Sequence, residues 1–219
     1  MPRKPFGEQC DPCEWDDDEF GINNNSVLTP VAANLRDCIR LLWEQHVYWT
    51  RMTIISIVFN LPDADATTKR LLRNAKDQEN LFRPFYGRRI AAEFGRLITD
   101  HLTLAAALVK ATKEGDTRAA KVAEKRWYQN ADEIAEFLNE INPYWPAAEM
   151  RKMWHTHLSL TKSEAVEMLN ENYAKSISIF DQIERQALMM ADTFADGLIN
   201  QFPDRMRLAS DEVLTPPEA

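Results

Sequence analysis

The sequence predicts an all-α protein: an antiparallel four-helix bundle of long helices with additional short capping helices. Four long stretches repeat their apolar residues at helical spacing, at 30–60, 85–113, 117–141 and 174–202. Short breaks rich in proline, glycine or asparagine separate them, and the sequence has neither a strand-like alternation nor a glycine-rich phosphate loop. An antiparallel bundle buries four such amphipathic stripes with the least exposed apolar surface.

The first half of the chain has clear start and stop signals. Thr29-Pro30 begins the first helix, because a threonine N-cap and a proline in the first turn both suit a helix start. Leu61-Pro62 ends it. Residues 63–82 are expected to form a short helix, and 83–87 a bent connector that contains both proline and glycine.

The second half continues in the same way. Gly115-Asp116 is the turn of a long helical hairpin over 90–141, which Asn142-Pro143 ends. Trp145-Pro146 starts a short helix that reaches about residue 159. The sequence Thr161-Lys162-Ser163-Glu164 has the pattern of a capping box and predicts a second short helix to about residue 172. The last long helix ends before Pro203.

Both arms of the long hairpin carry an apolar heptad that is interrupted once by a polar residue. The interruptions are His101 on the first arm and Asn130 on the second. Each lies about 14.5 residues from the middle of the turn, or roughly 22 Å along its arm at ~1.5 Å per residue. We therefore expect His101 to face Asn130 in one layer of the core.

The other two long helices supply candidates for the same layer. His46 interrupts the apolar stripe of the first helix, and Glu184 or, in a slightly different register, Asp181 interrupts that of the last. Imidazole and carboxylate groups suit zinc, iron, copper or manganese, and bundle cores commonly hold such sites. The leading hypothesis is a binding protein with a metal or small polar ligand among His46, His101, Asn130 and Glu184 or Asp181.

Two other interpretations stay open. A hydrogen-bonded polar core could fix helix register without a ligand, in a structural or adaptor protein that recruits a partner through an acidic tail. An enzyme could use the same histidines as acid–base groups, although no motif specifies a substrate. A ferritin-like di-iron site is excluded, because Glu-x-x-His occurs at none of the four histidines.

Further residues are secondary candidates. His157 is expected to face inward and to pair with Asp181 at the bundle end, whereas His155 points to solvent. Glu44 and Asp132 are secondary candidates for the metal or ligand site. Two more candidate features are an anion site at Arg88 and Arg89 near a helix N-terminus, and a weak metal motif, Cys10-Asp11-Pro12-Cys13.

The formal net charge of −8 is concentrated at the ends of the chain. Residues 1–28 carry −5 and residues 203–219 carry −2, so 29–202 is nearly neutral. We expect a disordered acidic tail (1–28), a single helical domain (29–202) and a flexible C-terminal tail (203–219). The near-neutral body argues against nucleic-acid binding. The longest apolar run, 52–61, is too short to span a membrane, and a cytoplasmic location is expected.

Several motifs stand out over about residues 35–202. They are Leu42-Trp43-Glu44-Gln45-His46-Val47-Tyr48-Trp49-Thr50-Arg51, Trp127-Tyr128-Gln129-Asn130-Ala131-Asp132, Asn142-Pro143-Tyr144, His157-Leu158-Ser159-Leu160-Thr161 and Met190-Ala191-Asp192. Together these motifs resemble a family of small uncharacterised, mainly bacterial proteins often labelled acetylglutamate kinase. The kinase label does not fit, because amino-acid kinases are α/β proteins with glycine-rich phosphate loops and this chain has six glycines. The resemblance implies a shared role for His46, Asn130, Asp132 and His157, and it implies no reaction.

Overall fold

The computed structural model describes residues 28–207, and these residues form helices and no strands. The helices are α1 (Pro30–Val58), α2 (Ala64–Lys113), α3 (Thr117–Ile141), α4 (Ala147–Leu169) and α5 (Tyr173–Gln201), followed by a short 3-10 helix (Pro203–Met206). The all-α prediction is therefore confirmed. Residues 1–27 of the predicted tail (1–28), with Cys10 and Cys13, and residues 208–219 lie outside the described part of the chain.

Helix α2 is folded back on itself at Gly87. The backbone there leaves the helical region, with φ 76° and ψ 175°. The rings of Phe82 and Phe94 stack with centroids 4.1 Å apart, and Glu79 packs directly against the backbone of Gly95. Glu79 and Gly95 are 16 residues apart in sequence, so in one straight helix they would be separated by roughly 24 Å. The first arm (64–86) and the second arm (88–113) of α2 therefore run antiparallel.

This reversal changes the predicted arrangement of the helices. The first arm of α2 was expected to be a short capping helix, but it packs along α1 and buries Leu71, Ala75 and Phe82. The two short helices expected around Thr161 are one continuous helix, α4, so Thr161 is not a cap. Its hydroxyl lies inside the protein, where burial outweighs the local capping pattern.

The chain thus forms three consecutive helical hairpins: α1 with the first arm of α2, the second arm of α2 with α3, and α4 with α5. Helix α5 also packs against α1, which closes the bundle. The three hairpin turns have the same geometry, with a positive φ at Asn60, Gly115 and Glu171. In each turn the residue that follows the positive-φ position donates its N–H to the carbonyl of the residue five positions before the donor, at 2.9–3.0 Å. The donors are Leu61, Asp116 and Asn172. These positions are 55 and 56 residues apart, so the fold repeats three times.

The C-terminal end of the described chain is packed rather than free. Met206 is buried, and its carbonyl accepts a hydrogen bond from the Thr29 hydroxyl. The flexible C-terminal tail predicted from Pro203 onward does not include these first residues. None of the helices in residues 28–207 has an apolar stretch long enough to cross a membrane.

Gly87 should be far more sensitive to substitution than Gly115. At φ 76° and ψ 175°, the Gly87 backbone lies in a region that is essentially restricted to glycine, so Gly87→Asn should lower the free energy of unfolding by about 1–3 kcal/mol. Gly115→Asn is the matched control, because Asn60 already has the same sign of φ in the equivalent turn. Urea unfolding measures both, and equal effects would contradict the assigned role of Gly87.

Candidate metal centre

Three histidines from three different hairpins meet at the centre of the bundle. His46 on α1, His101 on the second arm of α2 and His157 on α4 are each at most 2 % exposed. Their ring centroids form a nearly equilateral triangle with sides of 5.6, 6.1 and 6.3 Å. One ring nitrogen of each lies within 4.8 Å of those of the other two.

Each histidine belongs to a hydrogen-bonded group that we call a His–amide unit. It contains the imidazole, a side-chain amide from the second helix of the same hairpin, and the backbone carbonyl four residues before the histidine. Nδ1 of His46 lies 3.1 Å from the Asn74 amide oxygen, and the Asn74 amide nitrogen lies 2.8 Å from the Leu42 carbonyl. The same two distances are 3.2 and 3.1 Å in the unit of His101, Asn130 and Leu97. They are 3.0 and 3.2 Å in the unit of His157, Gln186 and Met153.

The His–amide units determine which imidazole nitrogen carries the proton. A backbone carbonyl can only accept, so the amide NH₂ must point towards it and the amide oxygen must face the imidazole. That oxygen has no proton to give, so Nδ1–H is the donor. The hydrogen bonds that the three rings make with described residues all run through Nδ1. Each neutral ring therefore keeps its Nε2 lone pair for another partner.

The surroundings keep all three imidazoles neutral. Burial, together with the nearby His157, lowers the pKa of His46 to about 3. Burial also lowers the pKa of His157 to about 4, against the opposing effect of Gln186. The pKa of His101 is likewise lowered by burial and by the other two rings. Neutral imidazole is the form that binds a metal ion.

The His–amide units repeat at nearly constant spacing along the chain. The histidines are 55 and 56 residues apart, and the amides Asn74, Asn130 and Gln186 are each separated by 56. A fully buried alanine follows every amide: Ala75, Ala131 and Ala187. The periodicity leaves short matches in the sequence: His-Leu recurs at 101–102 and 157–158, and Asn-Ala at 74–75 and 130–131. Asn74 and Gln186 were not predicted.

The structure brings together three of the five residues of the predicted core layer. His101 and Asn130 face each other as the hairpin geometry predicts, and His46 lies beside them. The prediction for the last helix was wrong. Asp181 is exposed, and Glu184 accepts a hydrogen bond from the exposed Tyr48. Gln186 takes the inward position because the buried stripe of α5 runs through Ile183, Ala187 and Met190.

His157 belongs in the central layer rather than at the bundle end with Asp181, because α4 is a full-length member of the bundle. The other secondary candidates lie away from the centre. Asp132 accepts hydrogen bonds from Arg151 and His155 at the surface, and Glu44 is half-buried outside the three-histidine group. Arg88 and Arg89 are both exposed.

The core is filled on one side of the histidines and open on the other. One turn before the histidines stand the large side chains Trp43, Ile98 and Trp154, all fully buried. One turn after them, at the equivalent positions, stand the small residues Thr50, Ala105 and Thr161. These line a cavity of about 250 Å³. The cavity lies between α1, both arms of α2, α3 and α4, and Trp127, which contacts the His101 ring, forms part of its wall.

Comparison of the chain with known protein families, with curated proteins and with solved structures finds no match. The resemblance to the family labelled acetylglutamate kinase stays a prediction.

The buried histidines should make the metal-free protein acid-sensitive. In the unfolded chain their pKa is about 6.5, whereas folding lowers it to about 3 for His46 and about 4 for His157. Below pH 6.5 the unfolded chain takes up protons that the folded chain does not. The free energy of unfolding should therefore fall by about 1–2 kcal/mol per histidine between pH 7 and pH 5.

One buried carboxyl has the opposite effect and should be removed for this measurement. Glu164 pairs with Arg51, but burial raises its pKa to about 7, so its protonation favours the folded state as the pH falls. Urea unfolding of chelator-treated Glu164→Gln protein isolates the histidines. Adding His157→Gln should reduce the slope by about a third, and a free energy of unfolding that does not change with pH would refute the assignment.

Proposed function

We propose that this protein is a metal-binding protein in which Nε2 of His46, His101 and His157 together hold one divalent transition-metal ion. The observation that carries the proposal is the set of three His–amide units. They give three buried, neutral imidazoles the same tautomer and leave Nε2 of each without a hydrogen bond to a described residue, and one ring nitrogen of each lies within 4.8 Å of those of the other two. Histidine ligands of metals commonly have this arrangement, in which the second ring nitrogen donates to an oxygen.

The spacing of the rings is compatible with one ion. Zinc binds imidazole nitrogen at about 2.0–2.1 Å, so three nitrogens around a tetrahedral zinc are roughly 3.4 Å apart. The ring nitrogens lie within 4.8 Å of one another, so side-chain movements of about 1 Å bring them onto one ion. Three neutral imidazoles suit zinc, copper or iron better than manganese, which prefers oxygen ligands.

The competing interpretation is a hydrogen-bonded core without a ligand. It accounts for Nδ1 of each ring, because the amides satisfy that nitrogen fully. It gives no role to Nε2 of the three buried rings, whose hydrogen bonds to described residues all run through Nδ1, and a buried polar atom without a partner costs about 1–3 kcal/mol. A shared metal ion satisfies all three at once. The adaptor role predicted for the acidic tail (1–28) stays a separate prediction.

Metal analysis tests the proposal. Protein purified without added metal, or dialysed against zinc and washed, should hold about one ion per chain. His46→Ala, His101→Ala and His157→Ala should each lose it, because two imidazoles do not hold a structural or catalytic zinc. His155→Ala is the matched control, since His155 lies outside the cluster and should leave the metal content unchanged. Wild-type protein that binds no transition metal would refute the proposal.

The amides should affect metal affinity without being ligands. Asn130→Ala removes the group that orients His101, so the affinity for zinc should fall about 10–100-fold. Asn200→Ala, at an exposed position of α5, is the control and should have no effect. A competition titration with a chromophoric chelator measures both variants, and equal affinities would show that the His–amide units do not position the ligands.

A further inference from the structure

The cavity beside the histidines has the size and lining of a small-molecule site. Its volume of about 250 Å³ exceeds the ~150 Å³ that holds benzene in an engineered apolar cavity, and has room for about ten non-hydrogen atoms. Most of its wall is aliphatic, from residues such as Ile54, Leu102, Leu108 and Ala165. The exposed residues Thr112, Thr117 and Lys121 form its solvent end, so a ligand can enter from that side.

A few polar groups in the cavity have no partner. The hydroxyls of Thr53 and Thr161 are buried without a hydrogen bond among the described residues, and so is the indole N–H of Trp127. All three residues line the cavity. Thr161 is one turn after His157 and Thr53 is two turns after His46, so these groups lie on the histidine side. Buried donors without partners in an apolar cavity are suited to a ligand with a few acceptor atoms.

The charge of the proposed metal centre indicates which kind of acceptor group the ligand carries. Three neutral imidazoles leave a divalent ion with its full positive charge, and the clustered ligand group contains no carboxylate. Glu164 is the one buried carboxyl among the described residues, and it is paired with Arg51. An uncompensated ionic charge in an apolar core is costly. An anionic fourth ligand that enters from the cavity would reduce that cost.

We infer that the cavity binds a small organic carboxylate of about ten non-hydrogen atoms, whose carboxylate completes the metal coordination and whose apolar body fills the cavity. The inference rests on the proposed metal centre. Trp43, Ile98 and Trp154 are fully buried on the other side of the histidines. The histidines themselves do not line the cavity, but Thr50, Ala105 and Thr161, one turn after them, do, so the carboxylate passes these small side chains to reach the ion. Lys121 lies at the solvent end of the cavity and attracts an anion there, whereas Lys162 is paired with Glu124, which also lines the cavity.

Cobalt-loaded full-length protein provides the test, because the visible absorption of cobalt(II) reports its ligands directly. Octanoate has a suitable size and should change the spectrum in a saturable way. Acetate lacks the apolar body and should bind at least about tenfold more weakly. 1-Octanol lacks the anionic group and should leave the spectrum unchanged.

A pair of variants assigns the binding to the cavity. Ala105→Leu fills the space one turn after His101, so it should keep its cobalt and lose at least about tenfold in octanoate affinity. Ala107→Leu makes the same substitution at an exposed position of the same arm and is the matched control. Cobalt content and the circular dichroism spectrum of both variants establish that each is folded and loaded.

The outcomes separate this inference from the metal proposal. If the protein binds cobalt but its spectrum does not respond to octanoate, the carboxylate site is overturned and the metal centre is retained. The same conclusion follows if Ala105→Leu responds to octanoate as the wild-type protein does. Failure to bind cobalt or zinc overturns both. Equal octanoate affinity with and without metal, measured by calorimetry, overturns the coordination of the ion by the carboxylate.

Discussion

The arrangement of the core depends on how three side-chain amides hold three imidazoles. An imidazole buried among tryptophans could turn about its side-chain bonds or exchange tautomers. Either change would alter the direction of its Nε2 lone pair. Asn74, Asn130 and Gln186 prevent this, because each is itself held by a backbone carbonyl and can present only its oxygen. The direction of every Nε2 is therefore set by the helix backbone through two hydrogen bonds.

The three hairpins make this geometry possible. Antiparallel pairing places a histidine and an amide at the same height on neighbouring helices, and repetition of the hairpin places three such pairs at one level. The second arm of α2 can take part only because Gly87 reverses the chain. Without that reversal His101 would lie far from His46, and the layer would contain two imidazoles.

Much of the fold could be predicted from sequence, because the long apolar repeats and the proline and glycine breaks are local signals. The facing of His101 and Asn130 was also predictable, since a single turn separates them. The partners of His46 and His157 were not. Finding Asn74 required knowing that 64–86 packs as a full helix, and finding Gln186 required the register of α5, which two overlapping apolar stripes left ambiguous. The three hairpins resemble one another in backbone geometry and in the spacing of equivalent residues along the chain, but few of their residues are identical.

A single chain can place different residues at equivalent positions of its three hairpins, whereas a symmetric trimer of identical hairpins cannot. In such a trimer every residue around the axis would occur three times, so a small residue would create three openings and a large one would close all of them. Here Trp127, Leu71 and Ile183 occupy equivalent positions, and α5 contributes nothing to the cavity wall. The centre keeps a nearly threefold set of imidazoles, while its access to solvent lies on one side.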